Sequence, residues 1–88
     1  MVIQVVNFNL EGITHDQYLE AAKEVAPAFK ELSGLKSKVW LSDEEKNVYG
    51  GVYTWDDHQS MQDYLNGPFY AEVLGDNPSL VHITYTPY

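Results

Sequence analysis

The hydrophobic period of this chain switches from two to about 3.6 residues and back, twice, within 88 residues, and few folds accommodate that alternation. Val2 to Phe8 alternates as a strand does, with Val2, Gln4, Val6 and Phe8 on one face and Ile3, Val5, Asn7 and Asn9 on the other. Glu11-Gly12 ends it. Thr14 and Gln17 then form a capping box, after which Tyr18, Ala22, Val25, Ala26, Phe29 and Leu32 recur on one face of a long amphipathic helix. Pro27 removes one hydrogen bond inside that run, so a kink or a break is expected near residues 23–27, with Gly34 as the C-terminal cap. Lys36 to Ser42 and Val48 to Trp55 read as an antiparallel hairpin joined by the acidic turn Asp43-Glu44-Glu45-Lys46-Asn47. Asp57 caps a second helix over residues 58–66, with Met61, Tyr64 and Leu65 sharing a face. Gly67-Pro68 interrupts it, Phe69 to Leu74 is expected to form a further turn of helix, and Gly75-Asp76-Asn77-Pro78 is a loop. A last strand, Leu80 to Tyr85, puts Val81, Ile83 and Tyr85 on one face and His82, Thr84 and Thr86 on the other.

The order βαββαβ in one domain, residues 1–88, predicts an α+β, ferredoxin-like split sheet: antiparallel strands in the order 4-1-3-2 with both helices on one face. That layout leaves the opposite face bare, with Ile3 and Val5 on it. A chain this short buries only about 60–65 % of its unfolded surface, so a second copy is expected to cover that face and form a homodimer. Two sheets facing each other make a dimeric α+β barrel.

Charge narrows the partners. The net charge is −8, with five lysines and no arginine, so neither the basic surface that nucleic acid requires nor the arginine fork that favours phosphate is present. No apolar run has the length of a membrane span, and no basic start precedes an apolar segment as in a signal peptide, so a cytoplasmic protein without membrane association is expected. The absence of cysteine removes disulfides and thiol chemistry. His15 is expected at the surface in the first helical turn. His58 has Asp56 and Asp57 beside it and is a candidate base, and His82 lies on the polar face of an edge strand with Thr84. No two histidines stand at helical ligand spacing, so no built-in metal site is expected.

The glycine pair in Tyr49-Gly50-Gly51-Val52-Tyr53-Thr54-Trp55 is costly in a strand, and something else has to fill the space above it. Close approach of another backbone is one reading. A ligand pressed onto a strand walled by Tyr49, Tyr53 and Trp55 is the other.

Over nearly its whole length, in Ala26-Pro27-Ala28-Phe29, Gly34-Leu35, Lys38, Asp43-Glu44, Gly50-Gly51-Val52-Tyr53 and Trp55, the chain resembles the small monooxygenases of the YdhR type, within the superfamily of dimeric α+β barrels. The resemblance implies a cleft between each subunit's sheet and its helices, opened where strand three lacks bulk. Gln4, Phe8, Tyr49, Gly51, Tyr53, Trp55, Phe69 and His82 are then expected to bind substrate, with Tyr64 and the segment after Pro68 as the roof. A related cyclase pattern places a catalytic tyrosine before a His-Pro-x-His run. Tyr64 matches its tyrosine, and Tyr70, in Gly67-Pro68-Phe69-Tyr70, stands where the second histidine would be. Tyr64, Tyr70 and His58 are the catalytic candidates, the tyrosines as hydrogen-bond donors to a developing oxyanion, since a phenol of pKa ~10 is a poor base at neutral pH. The function so implied is a monooxygenase without a cofactor, acting on a small aromatic, quinol or polyketide-like substrate. The alternatives are a polyketide cyclase-like enzyme and a non-catalytic binding or accessory protein.

Overall fold

Every change of period in the sequence is a boundary between elements. A computed structural model describes residues 1–88 as β1 (Val2–Leu10), α1 (His15–Phe29), β2 (Leu35–Asp43), β3 (Val48–Trp55), α2 (His58–Leu65), a single turn α3 (Pro68–Tyr70) that widens into a π-type turn over Ala71–Gly75, and β4 (Leu80–Pro87). The sheet order is β2-β3-β1-β4 and every neighbouring pair is antiparallel, the ferredoxin-like 4-1-3-2 arrangement. The register pairs Gln4 with Tyr53, Val6 with Gly51 and Phe8 with Tyr49. All of these side chains therefore face the helices, and the residues between them face away.

Both helices begin as their sequences dictate. Thr14 and Gln17 exchange the two bonds of a capping box, at 3.1 and 2.8 Å, and the Asp57 carboxylate accepts from the Ser60 amide at 2.8 Å. Each such cap stabilises its helix by about 1 kcal/mol. The core lies between the helices and the sheet, built on Val6, Phe8, Tyr53 and Trp55 from below and Phe29, Met61 and Tyr64 from above.

Three local expectations change, and one open alternative is decided. The helix does not break at Pro27, which occupies the last turn of α1, where one missing hydrogen bond costs least. Gly34 is not its cap: α1 ends at Phe29 with Lys30 following, and Gly34 sits in the next turn at φ +81°, where a Cβ would collide with the Ser60 hydroxyl. Gly50 adopts φ +155°, and a Cβ there would run into the Val6 carbonyl, so close approach of the β1 backbone accounts for this glycine. In β4 the regular alternation fails. Thr84 pairs with Asn7 but Val81 pairs with Asn9, so β4 carries one extra residue, and His82 takes φ +55°. Val81 consequently faces away from the helices while Tyr85, opposite Val6, faces them.

Candidate functional site

The inner face of the sheet has two halves, one closed and one open. In the closed half, beneath α2, Trp55 stacks parallel to Tyr53 with ring centres 6.1 Å apart and donates its indole N–H to Gln4 Oε1 at 3.0 Å. Tyr64 descends from α2 onto Trp55, at 5.3 Å between centres, and its hydroxyl is 3.5 Å from that of Tyr53. Tyr70 meets Tyr64 edge to face at 5.4 Å and continues to Tyr85. Gln4 and Trp55 are fully buried, and Gln4 Nε2 has no partner. Burial holds the Tyr64 hydroxyl up at about 12 and pushes that of Tyr53 higher still, with Tyr64 adding to the effect. Both phenols stay protonated at any physiological pH. Along the flank of this half, Trp55, Tyr64 and Phe69 edge a shallow hollow of about 250 Å³ together with Ser33, Ser60 and Asp63.

In the open half, α1 roofs the sheet with Ala21, Ala22 and Val25, which are too short to reach it. A cavity of about 250 Å³ remains over Phe8, Tyr53 and Trp40, closed at one end by Val73 and Leu74. Its wall is mostly hydrophobic, with the Tyr18 and Tyr53 hydroxyls, Lys38, Glu72 and Asn77 as the polar exceptions. Tyr18 is buried, which moves its hydroxyl up to about 12, and Glu72 is exposed at the rim.

Lys38 is the one cavity group that titrates near neutrality. It stands on β2 opposite Tyr53, and its Nζ lies 3.2 Å from the centre of the Phe29 ring, 3.5 Å from that of Trp40 and 4.7 Å from that of Tyr53. Burial brings the ammonium down to about 7, because the charged form loses its water, while the three ring faces attract the charge that remains. The two ion pairs of the protein, Lys23 with Glu20 and Lys36 with Asp56, involve other lysines. Gly51 is what admits Lys38. A Cβ at Gly51 would lie 3.2 Å from both Lys38 Cε and the Tyr53 ring, so the space left by this glycine holds the lysine stem.

The residues singled out in the sequence are thus divided. Phe8 and Tyr53 line the cavity, and Gly51 lies beneath the lysine. Gln4, Trp55, Tyr64 and Tyr70 are packed together in the closed half, and Phe69 sits edge-on to Phe29 at 4.9 Å. Tyr49 is buried against Tyr18, with its hydroxyl 2.7 Å from His15 Nδ1. His15 is accordingly half-buried instead of lying free at the surface. His58 is exposed and accepts from Gln62 on its own helix, and His82 is exposed and donates to Asn9 at 2.9 Å. None of the three histidines reaches the cavity. Sequence reasoning overlooked Lys38 and Trp40 as cavity residues. Their signal was the cross-strand register, which sets Trp40 opposite Gly51 and Lys38 opposite Tyr53.

The family described as "Putative mono-oxygenase ydhR" matches residues 3–88. No curated protein matches the sequence. Among solved structures, a putative antibiotic biosynthesis monooxygenase from Deinococcus radiodurans superposes with a TM-score of 0.81 at 16% identity, covering 100% of this chain and 90% of that one. SnoaB, a cofactor-independent oxygenase from Streptomyces nogalater, superposes at 0.78 with 19% identity over 99% and 89% of the two chains. The heme-degrader MhuD from Mycobacterium tuberculosis, with two hemes bound in its active site, does so at 0.74 with 17% identity over 100% and 93%. At these identities the likeness is one of fold.

Proposed function

The chain belongs to the ydhR family of putative mono-oxygenases, and from that premise we propose that the cavity under α1 takes a flat, largely apolar phenol or quinol, which dioxygen oxidises without a cofactor. In such a reaction the deprotonated substrate passes an electron to dioxygen. One oxygen atom stays on a substrate carbon and the other leaves as water, so a phenol with a free para carbon yields a quinone. The protein contributes a dry pocket and orientation. The observation that carries this reading is the apolar cavity walled by aromatic faces, with a single amine titrating near neutrality inside it. Tyr18 and Tyr53, kept protonated by burial, are the hydroxyls at hand to bind substrate oxygens. The test is dioxygen uptake with a panel of polycyclic phenols and hydroquinones. Uptake with one oxygen atom recovered in the product supports the proposal, whereas ligands that raise the melting temperature without oxygen uptake favour a binding protein.

The outer sheet face supports a homodimer. Ile3 is 42% and Val39 58% exposed there, and Val48 adds to the same apolar surface. No helix is long and apolar enough to cross a membrane. A second copy packed sheet to sheet accounts for the exposed valines, and light scattering at micromolar concentration should give about twice the chain mass.

A further inference from the structure

Lysines in a protein wall normally extend their stem along apolar surface and release the ammonium to water. Lys38 has that option, since β2 is an edge strand with solvent beside it, and on the same strand Lys36 takes it. Lys38 instead turns inward. Its nitrogen is enclosed by the rings of Phe29, Trp40 and Tyr53 and lines the cavity with no carboxylate within 4.0 Å. The other ionisable groups of the cavity are Tyr18 on α1, Tyr53 on β3 and Glu72 after α3. The two phenols are protonated and the carboxylate is at the solvent-exposed rim. Nothing in the chain therefore neutralises this nitrogen when it is charged. Three ring faces lower the cost of an ammonium without supplying an anion, and the open side of the cage is the cavity itself.

We propose that Lys38 accepts the proton of a phenolic or enolic hydroxyl entering the cavity and retains the resulting oxyanion as its ion pair, so that an acidic hydroxyl is the feature by which the site selects its ligand. The step balances by itself: the O–H bond of the ligand breaks, its electron pair stays on oxygen, and an N–H bond forms on Nζ. No oxidant or reductant takes part. An amine poised near neutrality suits that transfer, and the ring cage receives the charge as it appears. The proposal rests on the reading of the cavity as the substrate site. It adds the ionisation state in which substrate is held and the residue responsible.

The test uses the full chain and 7-hydroxycoumarin, a planar phenol whose neutral and anionic forms absorb at different wavelengths, titrated from pH 5.5 to pH 9. With the wild type, the anion band of the bound probe should appear at least one pH unit lower than for free probe, a tenfold shift in its ionisation. Affinity should be greatest between the ionisation of the amine and that of the probe. Lys38→Met should bind the neutral form and abolish the shift. Lys38→Arg, always charged, should replace the maximum by an affinity that rises with probe ionisation and levels off. An unshifted band in the wild type, with normal binding, overturns the role of Lys38 and leaves the cavity reading standing. No binding of either form overturns both. The wild-type band alone can overturn the role of Lys38, however well the variants fold, and a shift that persists in Lys38→Met overturns it too.

Discussion

Under α2 the sheet is covered by packed rings and the hollow there lies along their flank, whereas under α1 the same sheet face stays open because alanines form its roof. The two halves share a floor: Tyr53 stacks on Trp55 in one and lines the cavity in the other. What separates them is side-chain volume, since tyrosines and a buried glutamine occupy the closed half. A concentration of aromatic and polar residues therefore does not by itself leave room for a ligand. Volume left by small residues, with an ionisable group turned into it, does.

The contrast is most exposed to failure at Trp55. Trp55→Ala removes a fully buried indole and leaves Gln4 Oε1 unpaired as well as Nε2, so urea unfolding should show a loss of about 3–5 kcal/mol, a large share of the stability of so small a domain. A loss under about 1 kcal/mol would mean the closed half is no better packed than the open one. In the open half, Ala22→Leu extends into free volume. Affinity for an aromatic ligand should fall at least tenfold while stability changes by less than about 1 kcal/mol, read by calorimetric titration and thermal melting.

The response to pH separates the cavity lysine from the buried phenols. Lys38 binds its proton more weakly folded than unfolded, so between about pH 7 and pH 9 the unfolded chain holds more protons and stability should rise with pH. Tyr18 and Tyr64 bind theirs more tightly when folded, so above about pH 10 the unfolded chain loses protons first and stability should fall. The rising limb, at most about 1.4 kcal/mol per pH unit for one proton, should vanish in Lys38→Met while the falling limb remains. The smallest effect is expected from Tyr64→Phe. Its hydroxyl is 3.5 Å from that of Tyr53, at the limit of a hydrogen bond, and its loss should change stability by about 0.5–1 kcal/mol and ligand affinity by less than threefold. A hundredfold loss of affinity would relocate the site to the closed half.

The fold was legible because periods of two and of about 3.6 repeat over enough residues to average out local exceptions. The capping box at Thr14, the Asp57 cap and the inward set Gln4, Val6, Phe8 were all readable from spacing. Single-residue backbone events were not. The extra residue in β4 leaves no trace in hydrophobicity, and Pro27 looks disruptive only until the helix is seen to end two residues later. The proposed site was half legible. Gly51 marked a gap on strand three, but what lies over it comes from β2, across a register that spacing along one strand does not reveal. Lys38 reads as a surface charge by type, and only its partners across the sheet turn it inward.

The extra residue in β4 bears on the length of this chain. His82 sits between Ile83 and Val81, and the pairs on either side, Asn7 with Thr84 and Asn9 with Val81, would close into an unbroken ladder around Phe8 and Ile83 if that one position were deleted. Every neighbouring side chain would keep its present face, and a strained left-handed backbone would be removed. In a regular stretch of the sheet a one-residue deletion reverses inside and outside for all that follows. Position 82 is thus a place where the strand can lose a residue while the core keeps its present packing.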